Sequence, residues 1–82
     1  MSTLHLIFSQ AGADACLDRS RPDDKFLLLQ DGVYVRHFPA AKVLDEHAKA
    51  RGVLTFVRAE QLINWDEFVS LTTTHAPVVS WR

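Results

Sequence analysis

Leu4-His5-Leu6-Ile7-Phe8 and Lys25-Phe26-Leu27-Leu28-Leu29-Gln30 are the stretches whose reading decides how this chain folds. Both are short, strongly apolar runs, and only His5 interrupts the first. Runs of this kind read as strands covered on both faces. Between them lies Ser9 to Ser20, with Ala11, Ala15 and Leu17 as apolar positions and Ser9 or Asp14 as N-cap, which predicts a helix. Arg21-Pro22-Asp23-Asp24 is turn chemistry, because proline fixes φ and aspartate tolerates the bend. Asp31-Gly32 ends the second run. Strand, helix, strand is a βαβ unit, and its crossover makes the two strands parallel.

Working outward, Ala40 to Arg51 supports two readings. In one it is a single helix, with Ala40, Leu44 and Ala48 on one face, Gly52 at the C′ position, and Lys49 and Arg51 in the last turn. In the other, a short strand at Lys42–Leu44 precedes a brief helix from Asp45 to Arg51; periodicity slightly favours the single helix. Val53 to Val57 has strand-like residues, and Leu62-Ile63-Asn64-Trp65 is a short apolar run. Asp66 caps a predicted helix through Thr74 with Phe68, Val69 and Leu71 facing inward. After Pro77, Val78-Val79-Ser80-Trp81 reads as a last strand. This alternation predicts an α/β fold: a three-layer α/β/α domain, residues 1–82, on a small, mostly parallel sheet of four to five strands.

Composition narrows the function. The chain has 82 residues, 48% hydrophobic and 23% charged, and a formal net charge of −1. A domain this short buries only roughly 60–65% of its unfolded surface, which points toward a partner for the remaining apolar area. Arg19, Arg21, Lys25 and Arg36 are interleaved with Asp18, Asp23, Asp24 and Asp31, so no clustered positive face for nucleic acid is visible. A lone cysteine forms no internal disulfide. The N-terminal residues carry no basic, apolar leader pattern, and no run is long enough to span a membrane, so cytoplasmic residence is expected.

Few residues stand out for chemistry. His5, His37, His47 and His75 show no metal-ligand spacing, and Cys16 sits in no CxxC context. His5, inside a strand, reads as a satisfied structural histidine or an interface residue. Gly12, Gly32 and Gly52 are isolated, with no phosphate-binding loop; no cofactor is expected. Tyr34, Phe38, Trp65 and Trp81 are the aromatic residues to watch, since aromatics are enriched at interface centres. Trp81 is read as an interface or subunit-edge residue, and Trp65 and Tyr34 as further interface candidates.

Five local patterns occur in order: the Leu4-His5 strand, Leu27-Leu28-Leu29-Gln30-Asp31-Gly32-Val33-Tyr34, Lys49-Ala50-Arg51-Gly52, Ile63-Asn64-Trp65-Asp66-Glu67-Phe68-Val69-Ser70-Leu71-Thr72, and Val79-Ser80-Trp81. In that order and with these gaps, the chain resembles the TusB/DsrH proteins of the sulfur-relay system over nearly its whole length. It departs from their pattern in two places. The segment after Ser9 is short and lacks the usual proline-containing helix start, and the stretch from Tyr34 to Leu44 is compressed. The resemblance implies a strand at Lys42–Leu44, and that reading is adopted over the single helix.

The resemblance further implies a DsrEFH-like sulfurtransferase complex, with TusC/DsrF-like and TusD/DsrE-like companions and a downstream TusE/DsrC-like acceptor. Its output is 2-thiolation of the wobble uridine in tRNA, or sulfur delivery to dissimilatory oxidation enzymes. Within such a complex Cys16 is the candidate persulfide site, because the thiolate is the reactive form in sulfur exchange. Arg19, one turn on, favours ionisation, while Asp14 and Asp18 oppose it. The competing reading is a buried cysteine that packs on the sheet. A second class of function also fits the composition: a stand-alone homo-oligomeric α/β adaptor without sulfur chemistry. One thiol without a visible base makes a poor independent enzyme.

Overall fold

The computed structural model of the chain describes residues 3–35, 40–75 and 77–82; His37 and Phe38, named above, lie outside them. The strands are β1 (Leu4–Ile7), β2 (Lys25–Leu28), β3 (Lys42–Leu44), β4 (Leu62–Ile63) and β5 (Val78–Trp81). The helices are α1 (Gln10–Leu17), α2 (Asp45–Ala50) and α3 (Trp65–Thr74). All strand pairs are parallel, in the order β4-β3-β2-β1-β5.

Handedness explains the layers. From β1 to β4 the chain steps across the sheet in one direction, so right-handed crossovers place α1 and α2 on one face. The return from β4 at one edge to β5 at the other reverses direction and puts α3 on the opposite face. The core divides accordingly. Ile7, Leu28 and Val43 pack with Ala13 and Cys16 of α1 and Ala48 of α2. On the other face, Leu4, Leu6, Leu27, Leu44 and Ile63 meet Phe68 and Leu71 of α3. The three layers are those the sequence predicts, and the five parallel strands fall within its four to five.

Local chemistry fixes the helix ends. Ser9 caps α1, its Oγ accepting the Gly12 N–H at 3.0 Å. Gly52 ends α2 with φ +69, its N–H donating to the Lys49 carbonyl while Val53 N–H donates to Ala48. That is a Schellman closure, with buried Val53 supplying its apolar contact.

Three local expectations are corrected and one is borne out. The inward face of α1 is Gly12, Ala13 and Cys16, whereas Ala11 and Ala15 are exposed and Leu17 is largely so. The helix lies so close to the sheet that a Cβ on Gly12 would come within 2.5 Å of the Trp81 carbonyl oxygen, and only small residues fit there. Lys42–Leu44 is the strand that the family resemblance implies, against the single-helix periodicity, because β2 and β4 pair with it on both sides. Val53–Val57 contains a 3₁₀ turn over Leu54–Phe56 instead of a strand. In α3 the cap is Asn64, in a reciprocal capping box with Glu67, and Val69 points to solvent while Phe68 and Leu71 face the sheet.

Candidate functional site

Cys16 lies in the last turn of α1, on the face turned to the sheet, with 0% of its surface exposed. Burial pushes its thiol up to about 11, and the nearby Asp24 carboxylate adds to the shift. The charge that adds to the shift is Asp24, from the turn before β2. In this state the sulfur is a neutral thiol closed to solvent, which is a packing environment.

A buried polar chain runs beside it. Asp24 is 8% exposed and accepts from three groups: the Thr3 N–H at 3.0 Å, the Arg21 N–H at 3.0 Å and His5 Nε2 at 2.7 Å. The hydrogen bond from His5, then those from Arg21 and Thr3, hold its carboxyl well below the usual range, at about 2. On the far side of the imidazole, Trp81 Nε1–H donates to His5 Nδ1 at 2.9 Å. An indole nitrogen only donates, so Nδ1 is the acceptor and the ring proton sits on Nε2, facing Asp24. Every member of the indole–imidazole–carboxylate chain is satisfied. His5 is thus a structural histidine that ties β1, β5 and the Arg21–Asp24 turn together.

The aromatic candidates do not converge. Trp81 sits half-buried on edge strand β5, its ring packed against the α1 face of the core. Trp65 opens α3 beside β4, at the opposite edge of the sheet, about 19 Å away for four strand spacings. It is 47% exposed, stacks on Phe68 at 5.5 Å, meets His47 edge-on at 5.5 Å, and donates its indole N–H to Glu46. His47 Nδ1 in turn accepts the Gln30 N–H at 2.9 Å, where Gln30 takes a left-handed φ of +49. Such a conformation costs a non-glycine residue about 1–2 kcal/mol, which the hydrogen bond to α2 offsets. Tyr34 ends the 3₁₀ helix Gln30–Tyr34 and is 48% exposed.

Among the described residues no three metal-ligating side chains gather, and no helix is long and apolar enough to cross a membrane. What remains is a parallel-sheet fold with one sealed thiol, and a family comparison assigns it. The model of the DsrH-like proteins matches residues 7–78. The chain belongs to the DsrH-like family. In general terms it is therefore a subunit of a sulfur relay. No curated protein matches it by sequence.

For this DsrH-like chain, sequence reasoning finds Cys16 and His5 but misses Asp24, which accepts from His5 and whose charge acts on Cys16. The available signal was a buried-strand histidine, which needs a partner, and an aspartate directly preceding the adjacent strand. Their parallel register, His5 beside Phe26, brings the two within reach.

Proposed function

We propose that this chain is a structural subunit of a sulfurtransferase complex and that the travelling sulfur resides on its companions, not on Cys16. It acts as one domain, assembling with TusC/DsrF-like and TusD/DsrE-like subunits in the cytoplasm to deliver sulfur to a TusE/DsrC-like acceptor. The observation that carries the reading is the burial of its only thiol, raised to about 11 and packed under α1. A persulfide carrier needs an ionised sulfur within reach of another protein's thiolate. Exposed Trp65 and Tyr34 supply rigid apolar area suited to subunit contacts.

The process served is wobble-uridine 2-thiolation or dissimilatory sulfur oxidation, and the near-neutral charge supports a subunit that does not itself hold tRNA. Co-expression with the two companions is the test. A stable complex, whose rate of sulfur transfer to the acceptor is unchanged by Cys16→Ala, supports the reading. A chain that never joins the companions, or a Cys16→Ala complex that assembles and cannot transfer sulfur, overturns it. Thionucleoside content of tRNA from cells lacking the chain separates the two processes.

A further inference from the structure

A groove of about 410 Å³ lies between α2 and β4, lined by Asp45, Glu46, Lys49, Leu54 and Leu62. Its floor is apolar. Leu62 packs from β4 onto the core, and Leu54, in the 3₁₀ turn that follows α2, is 39% exposed. Its wall is α2, which supplies the three charged side chains. Trp65 stands at the rim, because its indole N–H donates to the Glu46 carboxylate. That bond, the stack on Phe68 and the edge contact with His47 fix the ring while much of the residue stays open to solvent. A surface aromatic already held in place gives contact area with little further loss of side-chain freedom.

The charges decide what can fill the groove. Asp31 pairs with Arg51, Glu60 with Arg58 and Asp24 with His5. Among the described residues no basic side chain bonds Asp45 or Glu46, not even Lys49 one turn on. The lining therefore sets two carboxylates against one ammonium. A purely apolar segment closing over it would strip water from both carboxylates and leave them unpaired, which opposes binding. A segment that brings its own cation meets complementary charge. Arginine fits this better than lysine. Its guanidinium is planar and weakly hydrated, takes both oxygens of a carboxylate and stacks on an indole.

We infer that the groove between α2 and β4 receives an arginine-bearing apolar segment of a companion subunit. The guanidinium lies by Asp45 and Glu46 beside Trp65, and the flanking apolar side chains rest on Leu54 and Leu62. This rests on the reading of the chain as an assembly subunit and names the chemistry that one of its faces recognises.

The probe is the peptide acetyl-Leu-Arg-Leu-amide, titrated into the full ¹⁵N-labelled chain. The same peptide with citrulline for arginine is the neutral isostere. The arginine peptide should shift the Trp65 indole N–H, assigned by its loss in Trp65→Phe, and the amides of Glu46, Leu54 and Leu62. The citrulline peptide should bind about five- to tenfold more weakly. Glu46→Gln, which keeps an acceptor for the indole, combined with Asp45→Asn should erase that difference. In the co-expressed complex the same double variant should weaken the hold on the companions about tenfold. The inference is overturned if neither peptide binds at about 10 mM or if the two bind equally. It is overturned as well if arginine amide alone binds as tightly as the peptide, which makes the groove a small-cation site. A complex that forms and is indifferent to the double variant sinks this inference alone. A chain that never joins the companions sinks the subunit reading with it.

Discussion

Alkylation of Cys16 tests the sealed-thiol geometry in numbers. Its ionisation lies at about 11, against 9.0 for an unperturbed thiol. That shift belongs to the closed state, in which no reagent reaches the sulfur; iodoacetamide meets it only when α1 lifts from the sheet, and the exposed thiol then ionises as an ordinary one. An opening free energy of about 3 kcal/mol, typical of a single short helix, leaves about 150-fold less reactive thiol. Iodoacetamide should therefore modify the native chain roughly 10²-fold more slowly than the chain in denaturant, followed by intact mass. A native rate within about tenfold of the unfolded one refutes the reasoning. The same shift has a stability consequence. A thiol whose folded value is raised contributes stability that is complete below about 9 and lost as pH rises through about 11. Cys16→Ala should remove that alkaline component of unfolding.

The remaining predictions concern the frame around the thiol. Gly32→Ala would put a Cβ 2.0 Å from the Ile7 carbonyl oxygen and should cost about 3 kcal/mol or more in chemical denaturation. Gly52→Ala meets nothing within 4 Å and should cost only about 1 kcal/mol, for its φ of +69. Asp24 is lowered to about 2, so its contribution is present above about 4 and disappears as pH falls through about 2. Asp24→Asn, with a single acceptor oxygen for three donors, should be less stable at neutral pH and lose that acid dependence in circular dichroism titrations. Trp81→Phe keeps an aromatic ring but strands His5 Nδ1 without its donor, and should cost about 1–3 kcal/mol by thermal or denaturant unfolding.

The β1–α1–β2 unit is legible in the sequence because apolar runs flanked by turn residues leave little choice of element. Ser9 and Gly52 are legible as helix ends for the same reason: cap chemistry is local. The strand at Lys42–Leu44 is not, since Val43 and Leu44 become a strand only through neighbours on both sides, and family resemblance supplied what periodicity did not. The buried face of α1 was missed because Gly12 and Ala13 carry so little hydrophobicity that the exposed Ala15 and Leu17 look more apolar. Close approach to the Trp81 carbonyl, a tertiary fact, selects the small residues. Asp24 reads as an ordinary turn aspartate until the sheet register sets it beside His5. Trp81 shows the same limit, since its position near the end of the last strand says nothing of the bond that its indole makes to β1.

The central claim is that this subunit shapes a sulfur-relay assembly while its own cysteine stays out of the chemistry. Peptide mass spectrometry of the assembled complex, taken after loading by a sulfur donor, reads this directly. The Cys16 peptide should carry an unmodified thiol while sulfur is found on a companion subunit. A Cys16 peptide heavier by one sulfur atom, formed at the rate at which the complex passes sulfur on, contradicts it.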